Sequence, residues 1–346
     1  MKKPKMLFTA ETDGALIGQI DQLCDVTYCG WNTNQVVLGE DELIQQLKEK
    51  EILVTSYDKV TRKVLEASPD LKLVVCGRAN PVNVDCVAAK ELGIVVAYTP
   101  GRNSDVTAEF AVAMLLSLVR NVTIANKAIL DGEAITDNIE EPTEIKKDVT
   151  WGKVKDCHPY DDFKGPQIRN KTMGIVGYGS IGRRVGSIMH HGFLANLLVY
   201  DPYLNAIDID EPGVQLVDFD TLVRQSDFIS CHIKVTPETT GLFNYETFKK
   251  MKRTAYYINN SRGAVVNEND LCRALDEHLI TGAALDVYAY EPLYKGHPFI
   301  TRHYNNLLMT PHISGSSADA TTNGTKMIIG ILRSYLAKTP IATRAC

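Results

Sequence analysis

The sequence predicts an α/β protein built from two successive parallel sheets, each covered by helices on both faces. Three observations carry that prediction. Short apolar runs alternate with helix-period segments along most of the chain. A polar stretch, residues 131–170, divides them into two series; it carries Asp137, Glu140, Glu141, Glu144, Lys146 and Lys147. The length, 346 residues, suits two domains of ordinary size.

In the first series, Met6-Leu7-Phe8, Val26-Thr27-Tyr28, Ile52-Leu53-Val54, Leu73-Val74-Val75 and Ile94-Val95-Val96 read as buried strands. Amphipathic stretches lie between them, including Leu43 to Lys50 and Val84 to Leu92, the latter stopped by Gly93. Alternating strand and helix implies parallel strands buried on both faces, so residues 1–100 form one α/β layer. Pro100-Gly101 punctuates the chain, and Ser104 or Asp105 caps a long apolar helix expected to reach about Leu130.

The second series starts at Lys171. Strands are expected at Thr172–Val176, Leu197–Tyr200, Val214–Val217, Phe228–Cys231, Tyr256–Asn260, Ala283–Val287 and Leu307–Met309. Helices fall around Ile181–His190, Phe219–Arg224, Tyr245–Met251 and Glu268–Glu277. A last helix, Ala318 to Leu336, is placed to return to the first layer.

Composition narrows the function. A formal net charge of −5 argues against a nucleic-acid partner, which a basic face or stripe would serve. No apolar run approaches the ~20 residues that span a bilayer, so no membrane partner is expected. Lys2-Lys3-Pro4-Lys5 precedes only the short apolar Met6–Phe8, which is not a signal peptide. The eight cysteines are scattered without a C-x-x-C pair, consistent with a reduced, cytoplasmic protein. The histidines, His190-His191 included, lack ligand spacing, so no metal is expected.

Gly177-Tyr178-Gly179-Ser180-Ile181-Gly182 matches G-x-G-x-x-G. Alone the pattern is weak, but here it follows an expected strand and opens an expected helix. Gly177 makes the tight turn, Gly179 admits a pyrophosphate to the backbone, and Gly182 lets helix and strand pack closely. The helix N-terminus offers N–H groups and partial positive charge to the phosphates. The next strand ends at Asp201, nineteen positions after Gly182, where a carboxylate binds a ribose diol and repels a 2′-phosphate. Together these specify a dinucleotide site that favours NAD. The bland readings are a nucleotide-free glycine turn, and for Asp201 a turn residue before Pro202.

Three downstream segments place polar residues just past expected strands: Asn260-Ser261-Arg262-Gly263, Asp286 through Glu291-Pro292, and Thr310-Pro311-His312. Ligands of open parallel sheets lie beyond the carboxyl ends of the strands. The residue types suit hydride transfer with a hydroxy acid. His312 serves as acid/base, Glu291 favours its imidazolium and fixes its tautomer, and Arg262 grips a substrate carboxylate and polarises the adjacent carbonyl. Taken singly, Arg262 reads as a surface ion-pair partner, Glu291 as a turn residue and His312 as a satisfied loop histidine. The joint pattern outweighs those readings.

With Thr99-Pro100-Gly101-Arg102-Asn103, Ala108-Glu109 and Thr236-Pro237-Glu238-Thr239 added, the chain resembles the D-isomer-specific 2-hydroxyacid dehydrogenases, most clearly over about Leu71 to Ala320. The resemblance implies an α/β fold of two domains, a Rossmann NAD-binding domain inserted into a flavodoxin-like parallel-sheet substrate domain. Residues 1–100 and 313–346 would form the substrate domain and 101–312 the NAD-binding domain, with the polar arm at 131–170. It implies Arg262, Glu291 and His312 as the catalytic trio, and cofactor contacts at His232, Thr239, Asn260 and Asp286, the last near the nicotinamide amide. It also implies a substrate loop at Gly77, Arg78 and Ala79 whose N–H groups hold the substrate carboxylate, with Asn103 and the Glu109 region at the cleft. NAD is the expected cofactor, a small 2-hydroxy or 2-oxo acid the substrate, and a homodimer the expected assembly.

The chain departs from the family pattern in two places. Lys234 stands where proline is usual, altering the backbone at the cofactor's border or adding a phosphate contact. Arg78-Ala79-Asn80-Pro81 replaces a glycine/valine-rich loop; Arg78 meets a second anionic group, a polar sugar acid, or solvent. Formate dehydrogenases resemble the family but carry glutamine in the place of Glu291. The alternative class is an NAD(H)-sensing binding protein or corepressor of the same fold.

Overall fold

The computed structural model describes residues 3–137, 151, 153–209 and 212–346. The chain divides into two compact units, residues 1–106 with 315–346, and residues 107–314. Each is built on one parallel sheet.

The first unit holds β1 (Lys5–Phe8), β2 (Asp25–Tyr28), β3 (Ile52–Thr55), β4 (Leu73–Cys76) and β5 (Val95–Tyr98) in the order β2-β1-β3-β4-β5. That is the flavodoxin-like order. Successive side chains point to opposite faces. Leu7, Leu53, Val74 and Val96 therefore fill one core, and Met6, Phe8, Ile52, Val54, Leu73 and Val75 fill the other. The second core is closed by Ile328, Ile329, Ile331 and Leu332 of the helix Ala318–Leu336. The last helix thus returns to the first sheet. One feature was not legible beforehand: Arg344 bridges Ala97 in antiparallel sense, with Ala345 N–H donating to Val96 O at 2.7 Å.

The second unit holds β6 (Thr172–Val176), β7 (Asn196–Tyr200), β8 (Val214–Leu216), β9 (Phe228–Cys231), β10 (Tyr256–Asn259), β11 (Gly282–Leu285) and β12 (Leu307–Met309). Their order is β12-β11-β10-β9-β6-β7-β8. The chain starts in mid-sheet at β6, builds outward to β8, and then restarts at β9 on the other side. The crevice between β6 and β9 is therefore the topological switch point, where such sheets bind ligands.

The single helix expected from Ser104 to Leu130 is two helices, Ser104–Val119 and Val122–Leu130, meeting at 62°. Asn121 between them takes a left-handed conformation (φ 54°), which asparagine tolerates and a helix cannot continue. The first of the two is a core helix, with Ala108, Ala111, Met114, Leu115 and Leu118 buried against the second sheet. Among the described residues no single helix is long and apolar enough to cross a membrane. Of the polar arm expected at 131–170, residues 138–150 and 152 lie outside the described residues. The remainder contains a Val154–Cys157 bridge and the short helix Pro159–Asp162.

Candidate active site

Register builds the site. In the second unit Val176 pairs with Tyr200 and Cys231, Cys231 with Asn259, Asn259 with Leu285, and Leu285 with Met309. The strand ends are therefore flush, and the residues just beyond them form one row along the sheet edge. That row contains Gly177, Asp201, His232, Asn260, Arg262, Asp286 and His312.

The glycine turn occupies the switch point. Gly177 has φ +89°, and a Cβ there would lie 2.8 Å from His232 O, past the end of β9. A Cβ on Gly182 would lie 2.1 Å from Gly177 O, so helix Ser180–Ser187 leaves the turn in near-contact with it. A Cβ on Gly179 would meet nothing within 4 Å, which leaves its backbone open to a ligand. Asp201 braces the turn: its carboxylate accepts from Tyr178 N–H at 2.9 Å and from Tyr203 N–H at 3.0 Å. The Tyr178 ring is buried beneath Arg183, so only its backbone belongs to the site. Ser180 is exposed and Ile181 half-buried at the start of the helix.

The neighbouring strand ends are ordered in the same way. His232 is half-buried, its Nε2 2.8 Å from Ser230 Oγ, and loss of hydration pushes its imidazole down to about 3. Thr239 Oγ1 donates to Lys234 O at 2.7 Å and accepts from Thr236 N–H at 2.7 Å, closing the loop after β9. Asn260 is buried and donates through Nδ2 to Thr107 O, while its Oδ1 has no partner among the described residues. An orphaned buried acceptor at a sheet edge calls for a donor. With the open backbone at Gly179, it makes this edge a fitting site for a dinucleotide that carries an amide.

His312 and Glu291 meet directly. His312 Nδ1 lies 2.6 Å from Glu291 Oε2, with the two side chains 47% and 34% exposed, and Glu291 Oε1 accepts from Tyr288 N–H at 2.9 Å. One ring nitrogen is thus fixed against a braced carboxylate while Nε2 is left for chemistry. Arg262 is exposed, with Nη1 donating to its neighbour Ser261 O. A Cβ on Gly263 would fall 1.9 Å from the Tyr288 carbonyl carbon. Only glycine there lets the segment bearing Glu291 cross beside Arg262.

Asp286, expected near the nicotinamide amide, directly follows the end of β11. It is fully buried, and its carboxylate accepts from Thr310 Oγ1 at 2.6 Å, Ile313 N–H at 2.9 Å and Ser314 N–H at 2.8 Å. These donors flank His312, whose backbone is left-handed (φ 55°). A histidine in that conformation persists where its surroundings over-determine it, and Asp286 does so. Thr310 stood in the sequence only as a member of the His312 segment; its bond to Asp286 was not legible because the two lie 24 positions apart.

The expected substrate loop lies in the first unit. Gly77 is buried and donates its N–H to Thr55 O at 2.8 Å, so that amide is not offered to a ligand. The Arg78 carbonyl is held by Thr99 N–H at 3.0 Å, and Arg78, Ala79 and Asn103 are half-buried.

A Rossmann-type sheet with a glycine turn at its switch point and a Glu–His pair further along the edge defines a class: dinucleotide-dependent oxidoreductases. Comparison with known proteins makes the class specific. Residues 112–314 match the NAD binding domain of the D-isomer specific 2-hydroxyacid dehydrogenases. A putative 2-hydroxyacid dehydrogenase, YoaD, of Bacillus subtilis is 35% identical over 294 residues, 84% of this chain and 79% of the relative. A glyoxylate reductase of Thermofilum pendens is 32% identical over 92% of this chain and 88% of its own. D-lactate dehydrogenase of Escherichia coli superposes with a TM-score of 0.74 at 25% identity, over 99% of this chain and all of that one. The chain belongs to the D-isomer-specific 2-hydroxyacid dehydrogenase family, and NAD is its cofactor.

Proposed function

We propose that this protein interconverts a D-2-hydroxy acid and its 2-oxo acid by NAD-dependent hydride transfer. The observation that carries the reading is the His312–Glu291 pair at 2.6 Å, on the same sheet edge as the glycine turn. When bound, NAD supplies the hydride acceptor. Gly177, Gly179, Gly182 and the start of the following helix would hold its phosphates, Asp201 the ribose, and Asn260 Oδ1 an amide N–H. Repulsion between the Asp201 carboxylate and a 2′-phosphate selects NAD over NADP.

Glu291 accepts from His312 Nδ1–H and so fixes the tautomer in which Nε2 exchanges the proton with the substrate oxygen. Arg262 binds the substrate carboxylate and polarises the carbonyl beside it. Asp286 acts through His312 as a positioning residue. Residues 1–100 with 313–346 serve as the substrate domain, and residues 101–312 as the NAD-binding domain. The eight cysteines are free, which fits a reducing compartment such as the cytoplasm. A homodimer is the expected assembly, and sedimentation as a monomer at micromolar concentration removes it.

The test is NADH oxidation against a panel of 2-oxo acids including glyoxylate, hydroxypyruvate and phosphohydroxypyruvate. Tight NADH binding with no turnover across the panel would replace the enzyme reading with a sensor.

A further inference from the structure

The carboxylate that faces His312 is itself held in place by its own segment. Glu291 lies past β11, and the residues leading to it are tied one after another. Tyr288 N–H donates to Glu291 Oε1 at 2.9 Å. The next amide, Ala289 N–H, donates to Glu268 Oε1 at 2.9 Å. Glu268 opens the helix Glu268–Asp276, whose N-cap is Asn267, so the helix fixes where that carboxylate stands. Its other oxygen meets His297: Oε2 lies 3.2 Å from Nε2, with the two side chains 14% and 6% exposed. His297 Nδ1 accepts from Phe299 N–H at 3.3 Å, so the ring proton sits on Nε2 and is donated to Glu268.

Tyr288 makes a second tie through its side chain. The ring is buried, and its hydroxyl donates to Thr310 O at 2.8 Å, with Leu285 O 3.3 Å away. Thr310 O also accepts from His312 N–H at 3.1 Å, and Thr310 Oγ1 donates to Asp286. One residue therefore joins both halves of the pair. Its amide holds Glu291, and its hydroxyl holds the carbonyl to which the His312 backbone is bonded. Burial pushes that hydroxyl up, and the charges of Asp286, Glu291 and Glu268 add to the effect, so it stays protonated and donating.

We propose that Tyr288 and Glu268 are positioning residues: together they hold Glu291 where it keeps His312 in the tautomer with its proton on Nδ1. The inference rests on the dehydrogenase reading and concerns how its acid–base group is kept in register. The bond between His312 Nδ1 and Glu291 weakens steeply when its angle opens. The ring then divides between two tautomers, and the one with its proton on Nε2 cannot take a proton from the substrate hydroxyl.

Tyr288→Phe removes one hydroxyl and keeps the ring. Glu268→Gln leaves one oxygen for Ala289 N–H but turns an amide nitrogen toward His297 Nε2–H, so one of its two ties is lost. With the intact protein, NADH and the best-used 2-oxo acid of the panel, each variant is expected to lower kcat roughly 3–10-fold, the rate equivalent of one net hydrogen bond, with KM and NADH affinity little changed. Tyr304→Phe is the control. Its hydroxyl lies 2.8 Å from Asp276 Oδ1 and 3.1 Å from Cys272 O, ahead of β12 and so at the opposite end of the sheet. That variant should lower the urea midpoint as Tyr288→Phe does, with kcat within about twofold of the parent. An equal fall in kcat in Tyr304→Phe, or none in Tyr288→Phe and Glu268→Gln, overturns the proposal.

A second readout needs no turnover. With histidine labelled at both ring nitrogens, nitrogen NMR at a pH where imidazoles are neutral reports the His312 tautomer, its signals being those lost in His312→Gln. The parent should show the proton on Nδ1, and Tyr288→Phe and Glu268→Gln should move the signals toward a mixture of the two tautomers. If the parent turns over no oxo acid, the dehydrogenase reading fails by itself and these signals alone decide the positioning role. His312 signals unmoved in both variants overturn the proposal, whether or not kcat falls.

Discussion

The two sheets of this protein obey the same rules and end in opposite chemistry. Both are parallel, both are buried on two faces, and both bring their strand ends flush. At the edge of the second sheet stand glycines, an amide oxygen without a partner among the described residues and a Glu–His pair, with Lys234 and Arg262 as cations. At the edge of the first stand two arginines without carboxylate partners among the described residues and two aromatic rings. Each edge also hides one buried carboxylate. Asp58 accepts from Thr9 Oγ1, from Thr55 Oγ1 at 2.7 Å and from Leu38 N–H at 2.8 Å. Asp286 accepts from the donors that flank His312. The contrast is that identical scaffolding holds two different loops: one buried acid ties down a turn of the fold, and the other ties down the loop of His312, the proposed acid–base group.

The largest effect should come from removing the reacting group. His312→Ala is expected to lower turnover by about 10²-fold or more, the usual range for loss of an acid–base group, with NADH binding retained. Turnover within a few-fold of the parent would take His312 out of the mechanism.

Next come the two buried acids, which sharpen the contrast. In Asp286→Asn the amide nitrogen cannot accept from Ser314 N–H while the oxygen serves Thr310 and Ile313. Loosening of the His312 backbone should cost roughly 10-fold in kcat with little change in KM, and ~1–3 kcal/mol of stability. Asp58→Asn should show a similar stability loss, ~1–3 kcal/mol by urea titration, without that fall in kcat. If both variants lose turnover equally, the proposed division between the two acids is wrong.

The smallest effect concerns His232. Its folded value, about 3, lies below the ordinary histidine value of 6.5. Between those limits the unfolded chain binds a proton that the folded chain does not, so stability falls as pH drops from about 6.5 toward 3 and is fully present above 6.5. Because the ring is only half-buried, the change should be on the order of 1 kcal/mol. Urea midpoints at pH 7 and pH 4 should diverge less in His232→Asn than in the parent; identical divergence would show that this imidazole does not carry the effect.

Much of the scaffold was legible because it is written locally. Runs such as Leu73-Val74-Val75 and Thr172–Val176 declare buried strands by their own composition, and Gly177-Tyr178-Gly179-Ser180-Ile181-Gly182 declares its turn by spacing. Arg262, Glu291 and His312 could be singled out because each follows a strand end. The break at Asn121 was missed because asparagine inside an apolar helical run carries no strong stop signal. The bonds that tie Asp286 to the His312 loop were not legible because their donors lie 24 to 28 positions away.

The sequence by itself therefore determined the two parallel sheets and the glycine turn, since these depend on short-range periodicity and spacing, and the resemblance of its motifs implied the family and its cofactor. Only the tertiary structure decided which strand ends stand side by side. Strand order and register are set by packing between segments far apart in the chain, and they bring His312 onto Glu291, tie its loop to Asp286, and gather Arg78, Arg102 and Tyr57 at the other edge.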